Sequence, residues 1–306
     1  MGNFQIRTDL ALEARETVSE ADGEMRGIRV EEYYKEKEDI RVTKVVIDTK
    51  NAAKTMGKPM GTYVTMEAPA MVEPDDGYHK EISDCFAEEL LRMIPDIEKE
   101  LSVLVVGLGN REVTADALGP QVVDNLFITR HVVKAYGTAA YNCSRMNLVS
   151  SIEPGVMAKT GMETAEIIKG VIEQTLPDVL IVVDALAARS TKRLNRTIQI
   201  SNTGIQPGSG VGNHRNALTQ ESLGVPVIAV GVPTVVDAAT IVGDALEKIT
   251  GDNLNLNSIR YHHEMAFAEL NNMYMTGKDI DAVIKRVSFT VSEGINMAME
   301  KCEKKF

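Results

Sequence analysis

The first third of the chain carries a pattern in which apolar and charged positions alternate. Residues 10–23 are rich in Ala and Glu, which predicts a short helix or a mobile arm. Residues 28–34 and 40–48 alternate partly between apolar and charged side chains and predict a β-hairpin, and residues 62–66 add a strand. We therefore expect residues 28–70 to supply peripheral β elements.

Beyond residue 80, continuous apolar runs alternate with segments of helical spacing. The runs predict strands that are buried on both faces, and the segments between them predict helices. In chain order these are a helix at 80–94, a strand at 103–106, helices at 120–135 and 162–174, strands at 179–184 and 225–230, and a helix at 235–249. This alternation predicts a parallel α/β sheet with helices on both faces. Apolar residues from Ile280 to Ile295 then predict a docked C-terminal helix at 279–303.

The composition, 306 residues with 44% hydrophobic and 25% charged, favours one principal domain with appended elements. The longest apolar run, at 223–236, is interrupted by Pro226 and Pro233. It is shorter than the ~20 residues of a membrane helix, so we expect no membrane association. The first residues lack the segments of a secretory signal, which predicts a cytoplasmic protein.

The net charge and the positions of cysteine and histidine argue against two classes of function, nucleic-acid binding and metal binding. A formal net charge of -11 repels phosphate backbones, so a nucleic-acid partner is not expected. Cys85, Cys143 and Cys302 are an odd number without a close pair, which predicts reduced thiols and no zinc site. The five histidines, including the adjacent His262 and His263, show no metal spacing. We therefore expect no cofactor.

Two glycine-rich segments lack the residues that nucleotide binding requires. The sequence 107–109, Gly-Leu-Gly, follows a strand as in dinucleotide-binding proteins, but Glu112 stands where the third glycine belongs. Residues 208–213 lack the Lys-Ser or Lys-Thr ending of a phosphate-binding loop. We interpret residues 208–213 as a flexible or tightly turning loop near the active cleft.

Two acidic residues follow predicted buried strands. Asp116 lies in the loop after the 103–107 strand, and Asp184 ends the 179–183 strand. In open parallel sheets the functional residues collect at the carboxyl ends of the strands. Each acid has an alternative interpretation as the N-cap of the next helix, which spacing by itself favours for Asp184.

A pair of carboxyls that face one cleft cannot both ionise freely, so they would share a proton. One carboxylate would then draw a proton from a water molecule. The other, protonated, would polarise the scissile carbonyl and later protonate the leaving amine. This arrangement suits peptide hydrolysis.

A series of motifs in fixed order makes the chain resemble the germination proteases of endospore-forming bacteria. The motifs are Gly107-Leu108-Gly109-Asn110, Thr114-Ala115-Asp116-Ala117-Leu118-Gly119-Pro120, Pro154-Gly155-Val156-Met157, Val183-Asp184-Ala185-Leu186-Ala187-Ala188-Arg189-Ser190, Thr197-Ile198-Gln199-Ile200-Ser201, Pro207-Gly208-Ser209-Gly210-Val211-Gly212-Asn213 and Gly231-Val232-Pro233-Thr234-Val235-Val236-Asp237-Ala238. The resemblance runs from about residue 7 to 245.

The resemblance implies a three-layer α/β/α sandwich of the phosphorylase/hydrolase-like type, with a mostly parallel central sheet. It implies a homotetramer in the spore core that degrades small acid-soluble spore proteins at germination. The residues that match the family's catalytic pair are Asp116 and Asp184.

Family members are zymogens that remove their own N-terminal segment. Here residues 7–13 are similar to the substrate pattern of an acidic residue, an apolar residue, Ala and later Glu. We therefore predict cleavage between Asp9 and Leu10, with residues 1–9 as propeptide and 10–306 as a single peptidase domain. The alternative is an amphipathic arm that only packs.

The chain departs from the family pattern around the first acid. Arg111 and Glu112 add charge to the loop, and Ala115 replaces a common proline, which puts the rigidity of the loop beside Asp116 in question. The segment 250–260 is also short. Two further hypotheses stay open: a metal-dependent peptidase in which the same two carboxylates are ligands, and a non-catalytic peptide-binding protein of the same fold.

Overall fold

The alternating N-terminal pattern forms the predicted hairpin, strands β1 (Ile28–Lys35) and β2 (Ile40–Ile47), which pair antiparallel. Strand β3 (Gly61–Glu67) pairs antiparallel with β2. The computed structural model describes residues 8–22, 26–75, 77, 79–96, 98–206, 216–242, 245, 270 and 273–300.

These three strands continue into one sheet of nine described strands. The remaining strands are β4 (Ser102–Gly107), β5 (Leu148–Ile152), β6 (Val179–Ala188), β7 (Thr197–Ser201), β8 (Val227–Asp237) and β9 (Tyr274–Met275). Their order is β1-β2-β3-β7-β8-β6-β4-β5, and β9 pairs with the end of β8. The strands β8, β6, β4 and β5 are parallel to one another, whereas β1, β2, β3 and β7 form an antiparallel extension.

Helices cover both faces of this sheet. They are α1 (Ala11–Asp22), α2 (Lys50–Met56), α3 (Lys80–Met93), α4 (Leu118–Asp124), α5 (Arg130–Tyr136), α6 (Met157–Thr160), α7 (Thr164–Thr175), α8 (Gln220–Leu223) and α9 (Ile280–Met299). Along β4, Val103 and Val105 pack with α3, α4 and α9. The alternate residues Leu104 and Val106 pack with α7 and α8. This confirms the predicted α/β/α sandwich.

The two sides of the sheet have separate apolar cores. We call the side packed by α3, α4 and α9 the α9 face, and the opposite side the α7 face. On β3, Val64 lies in the core of the α9 face, so its neighbour Tyr63 points to the α7 face. Tyr63 packs there with Ala11 of α1 and with Ala52 and Met56 of α2. The N-terminal helix therefore lies on the α7 face.

Several predicted elements have different bounds. The helix predicted at 120–135 is two short helices, because α4 ends at Asp124 and the side-chain amide of its C-cap residue, Asn125, donates to the carbonyl of Gln121. The strand predicted at 179–184 continues to Ala188, and the helix predicted at 235–249 begins only after β8 ends at Asp237. The prolonged β6 and β8 pair with each other, and this pairing overrides the helix preference of Ala185, Leu186 and Ala187.

The cysteines differ in state. Cys85 is a buried free thiol, as predicted. Cys143 is disulfide-bonded, so the prediction of three reduced thiols is wrong. Separation along the chain is a poor guide to which cysteines meet in the fold. Among the described helices, none combines the length and the apolarity that crossing a membrane requires.

Candidate active site

The turn after β4 contacts the backbone beside both predicted catalytic acids. The amide of Leu108 donates to the carbonyl of Val183, the residue before Asp184, at 2.8 Å. The amide of Asn110 donates to the carbonyl of Asp116 at 3.0 Å. Gly109 has φ +121°, and a Cβ on it would lie 2.0 Å from the carbonyl oxygen of Asp116. Only glycine fits this close approach.

Asp116 ends a 3-10 turn, Thr114–Asp116, that is held from two directions. The hydroxyl of Thr234 on β8 donates to the carbonyl of Ala115 at 2.5 Å. The hydroxyl of Thr114 donates to Asp281 on α9 at 2.8 Å. These bonds fix the backbone around the half-buried Asp116 although Ala115 lacks the rigidity of proline.

Asp184 lies inside β6 and is only 7% exposed. One carboxylate oxygen accepts the amide of Ala185 at 3.0 Å. Because the strand continues past it, the alternative that Asp184 caps a helix is wrong. The residue that precedes α4 is Ala117, so Asp116 does not occupy the N-cap position either. The structure thus places the two acids on neighbouring elements just beyond the carboxyl end of β4.

The predicted processing site lies along the same strand. The amide of Asp9 donates to the carbonyl of Ala187 at 3.0 Å, and the amide of Ala187 donates to the Asp9 carboxylate at 2.9 Å. Leu10 is fully buried in a cluster with Leu186, Ala188 and Val236. Since alternate residues of a strand share a face, Asp184 and Leu186 point to the same side, about 7 Å apart. The Asp9–Leu10 bond therefore lies on the face of β6 that carries Asp184.

Glu13 anchors the start of α1 beyond this bond. Its buried carboxylate accepts the amides of Arg189 at 2.7 Å and Ser190 at 2.9 Å. Arg193 lies 3.4 Å from Glu13 and also binds Glu16 and Glu67 at 2.7 and 2.9 Å. Burial opposes the charge of Arg193, but the hydrogen bonds and negative charges of Glu16 and Glu67 outweigh it and raise the pKa of the guanidinium.

The charged loop beside Asp116 is held by ion pairs. Arg111 binds Asp124 at 2.6 Å and Glu153 at 2.5 Å, and Lys159 binds Glu112 at 2.6 Å. The hydrogen bonds that Arg111 donates to Asp124 and Glu153 raise the pKa of its guanidinium. Arg111 and Glu112, which depart from the family pattern, therefore hold the loop in place through these ion pairs. Residues 208–213, His262 and His263 lie outside the described residues.

Sequence reasoning missed two polar residues that contact the predicted scissile bond. The carbonyl oxygen of Asp9 accepts the Lys58 ammonium at 3.0 Å and the Gln199 amide nitrogen at 3.1 Å. Gln199 belongs to β7, in which every residue is buried. A polar side chain in such a strand is the signal that could have identified it. No local signal marks Lys58, which follows the αL residue Gly57 at the end of α2.

The possible metal ligands are few. Asp116 and Asp184 supply carboxylate oxygens, which suit hard cations. In the described part of the chain no three His, Cys, Asp or Glu side chains come together in a way that could hold a metal ion. Any cation at the acid pair would need water or substrate for most of its ligands.

Comparisons with known proteins agree with the motif order. The family model described as germination protease matches residues 6–255. The chain belongs to the germination protease family. It is therefore a protease of spore germination, and its place in the family is supported along nearly its whole length.

Individual relatives give the extent of the similarity. A germination protease of Caldanaerobacter subterraneus is 44% identical over 312 residues, which cover 96% of this chain and 94% of the relative. One of Clostridium perfringens is 44% identical over 315 residues, covering 97% and 96%. One of Bacillus cytotoxicus is 47% identical over 254 residues, covering 81% of this chain and 68% of the relative.

Proposed function

We propose that this protease is an endopeptidase of the aspartic type in which Asp116 and Asp184 activate water. We further propose that it is made as a zymogen, that it cleaves itself between Asp9 and Leu10, and that its substrates are small acid-soluble spore proteins. The observation that carries the proposal is the pair of hydrogen bonds from the 107–110 turn, one to the backbone beside Asp184 and the other to Asp116. One turn therefore contacts the backbone at or beside both acids, which supports their acting as a pair.

The chemistry requires one ionised and one protonated carboxyl. The ionised carboxylate takes a proton from water as the water oxygen attacks the carbonyl carbon of Asp9. The protonated partner then supplies the proton that the nitrogen of Leu10 needs to leave. The position of Leu10 against Leu186 on the face of Asp184 supports the self-cleavage, because the bond and the acid lie within a few strand residues of each other.

The replacements Asp116→Asn and Asp184→Asn test the proposal. Each removes the ability to exchange a proton and keeps the side-chain shape, so we expect folded proteins that neither process themselves nor degrade spore protein. Circular dichroism measures folding. The masses of the chain and of added spore protein over time measure self-processing and substrate cleavage. Normal turnover by either variant would remove that residue from the mechanism.

A metal-dependent peptidase is the alternative that uses the same carboxylates as ligands. It predicts that exhaustive chelation abolishes activity and that elemental analysis finds a bound metal. Full activity after chelation, with no metal detected, contradicts this alternative.

A catalytically silent peptide-binding protein is a second alternative. It predicts that the purified full-length chain keeps its N-terminus indefinitely, including under acidic or dehydrating conditions. A new N-terminus at Leu10 contradicts it.

We also propose, on the family resemblance, that the protein is a homotetramer and that it works in the spore core. Analytical ultracentrifugation of the full-length chain tests the first statement. A species of one or two chains at micromolar concentration would contradict it.

A further inference from the structure

The carbonyl oxygen of Asp9 is bound by two side chains that no part of the proposed mechanism uses. We infer that Lys58 and Gln199 are catalytic residues that bind the carbonyl oxygen of the peptide bond to be cleaved and stabilise the negative charge that develops on it. The inference rests on the proposed function, because it assumes that Asp9–Leu10 is a bond that the enzyme cleaves.

The contacts match what such donors require. The Lys58 ammonium lies 3.0 Å and the Gln199 amide nitrogen 3.1 Å from the oxygen. A carbonyl oxygen has two lone pairs, so these two donors satisfy it. Donors that stabilise an oxyanion lie 2.7–3.1 Å from it. The pair therefore has the right chemistry and already contacts the oxygen on which the charge will develop.

Gln199 faces Asp184 across a glycine. In the sheet, Gln199 on β7 and Asp184 on β6 are both paired with Gly231 on β8, one from each side. Residues in one cross-strand row share a face, and two strand spacings separate their Cα atoms by about 10 Å. Since Gly231 has no side chain, the side chain of Leu186 can pack directly over it. The donor and the proposed acid therefore flank one site on the α7 face.

Gln199 also orients the bond through its other atom. Its Oε1 accepts the amide of Ala11 at 2.6 Å, while its Nε2 donates to the carbonyl of Asp9. One side chain thus contacts the chain on both sides of Leu10. This double contact fixes the register of the peptide relative to Asp184.

Lys58 brings a positive charge to the same oxygen. Its ammonium also donates to the carbonyl of Thr8 at 3.1 Å. Burial lowers the pKa of Lys58, and the nearby carboxylates of Asp9 and Glu13 oppose that shift. A poorly hydrated ammonium interacts more strongly with a developing oxyanion than an exposed one does.

With these donors in place, the peptide bond is cleaved in two steps. The water oxygen forms a bond to the carbonyl carbon of Asp9, its proton passes to the ionised aspartate, and the π electron pair moves onto the oxygen held by Lys58 and Gln199. The carbonyl then re-forms, the bond to the Leu10 nitrogen breaks, and that nitrogen takes its proton from the other aspartate. Because both lone pairs of the oxygen already have donors, the protonated aspartate serves the leaving amine.

Two variants of the full-length chain test the inference. Lys58→Met removes the ammonium and keeps the length of the side chain. Gln199→Glu keeps an oxygen for the amide of Ala11 and replaces the Nε2 donor by a second oxygen. We expect each to slow self-cleavage about 100-fold, the usual loss for one oxyanion donor. The rate is read from the appearance of the new N-terminus at Leu10, a first-order process.

Two control variants make the same replacements at exposed positions away from the Asp9–Leu10 bond. Lys54→Met removes an exposed lysine of α2, and Gln220→Glu changes an exposed residue at the start of α8. Both should cleave themselves at the normal rate. Amide hydrogen exchange at Ala11 and Ala14 reports whether the N-terminal segment stays docked, because these amides bind Gln199 and the carbonyl of Leu10.

The outcomes are distinguishable. Slow cleavage with protected amides at Ala11 and Ala14 supports the donor role. Cleavage at the normal rate overturns it, and so does slow cleavage with lost protection, which would assign both side chains to anchoring alone. If Asp116→Asn and Asp184→Asn also cleave normally, the proposed function fails as a whole. If only those two are inactive, the function stands and the donor inference is wrong.

Discussion

At the scale of single residues, the position of Asp116 depends on Gly109, because only a residue without a side chain fits beside it. Gly109 has a backbone conformation that L residues rarely adopt, and its α-carbon lies against the backbone of Asp116. The same turn donates to the carbonyl of Val183 next to Asp184. A single glycine therefore couples the conformation of the turn to the placement of both acids.

We predict that Gly109→Ala lowers the stability by about 3 kcal/mol and abolishes self-cleavage. The new Cβ would meet the carbonyl oxygen of Asp116 at 2.0 Å, so the turn must move. Gly161→Ala is the matched control, because it also has positive φ, +70°, but nothing within 4 Å of the new Cβ. It should cost about 1 kcal/mol and leave cleavage intact. Urea denaturation and N-terminal sequencing measure both, and equal effects would contradict the argument.

At the scale of elements, the α9 face depends on the close packing of α3 against α9. Phe86 of α3 is fully buried, and a Cβ on Gly294 of α9 would lie 2.2 Å from its ring. The hydroxyl of Ser83 donates to the carbonyl of Thr290 at 2.9 Å, and the ring of His79 lies 3.0 Å from the Thr290 hydroxyl. The helices thus approach closely where one of them has no side chain.

We predict that Gly294→Ala destabilises the fold by about 2 kcal/mol, because the ring of Phe86 must leave its rotamer. Gly170→Ala on α7 is the control, since that exposed position has nothing within 4 Å of the added methyl group. Alanine should stabilise that helix by about 0.5–1 kcal/mol. Thermal unfolding measures both changes. Adding Phe86→Leu should recover part of the loss, and no recovery would show that the contact is not the cause.

At the scale of the whole molecule, the N-terminal segment is bound to β6 and to the residues that follow it. Asp9 pairs with β6, Leu10 fills an apolar cluster, and Glu13 accepts the amides of Arg189 and Ser190. The segment that we propose to be removed in part is therefore bound through several elements distant in sequence. Loss of residues 1–9 would open the strip of β6 that carries Ala187.

We predict that Glu13→Gln loosens this segment by about 2 kcal/mol. Glutamine keeps one acceptor, turns an NH₂ group towards a backbone amide, and loses the attraction to Arg193. Faster amide exchange at Ala11, Ala14, Arg189 and Ser190 would report it. Glu31→Gln is the control, because its pair with Lys44 is exposed and should contribute less than about 0.5 kcal/mol. Unchanged exchange in both variants would contradict the anchoring role.

The amino-acid sequence by itself determined the type of most elements. Period-two and continuous apolar patterns predicted β1 to β4, and helical spacing predicted α3, α7 and α9, because burial on one or two faces requires these patterns. It did not reveal β5, β7, β9, α2, α6 or α8, the full extent of β6 and β8, or the break between α4 and α5. Their bounds depend on pairing with strands far along the chain and on capping contacts. The spacing of apolar residues does not determine either of these.

The motifs predicted which two acids form the catalytic pair and where the chain cleaves itself. Both statements remain predictions. Only the tertiary structure decided that Asp184, Lys58, Gln199 and the Asp9–Leu10 bond lie on one face of the sheet, and that one turn bonds to the backbone beside Asp184 and at Asp116. The physical reason is that cross-strand register places Asp184 and Gln199 on either side of Gly231, and that the hydrogen bonds of the 107–110 turn hold the backbone beside Asp184 and at Asp116. Neither is determined by local residue preference, since each joins segments separated by tens of residues.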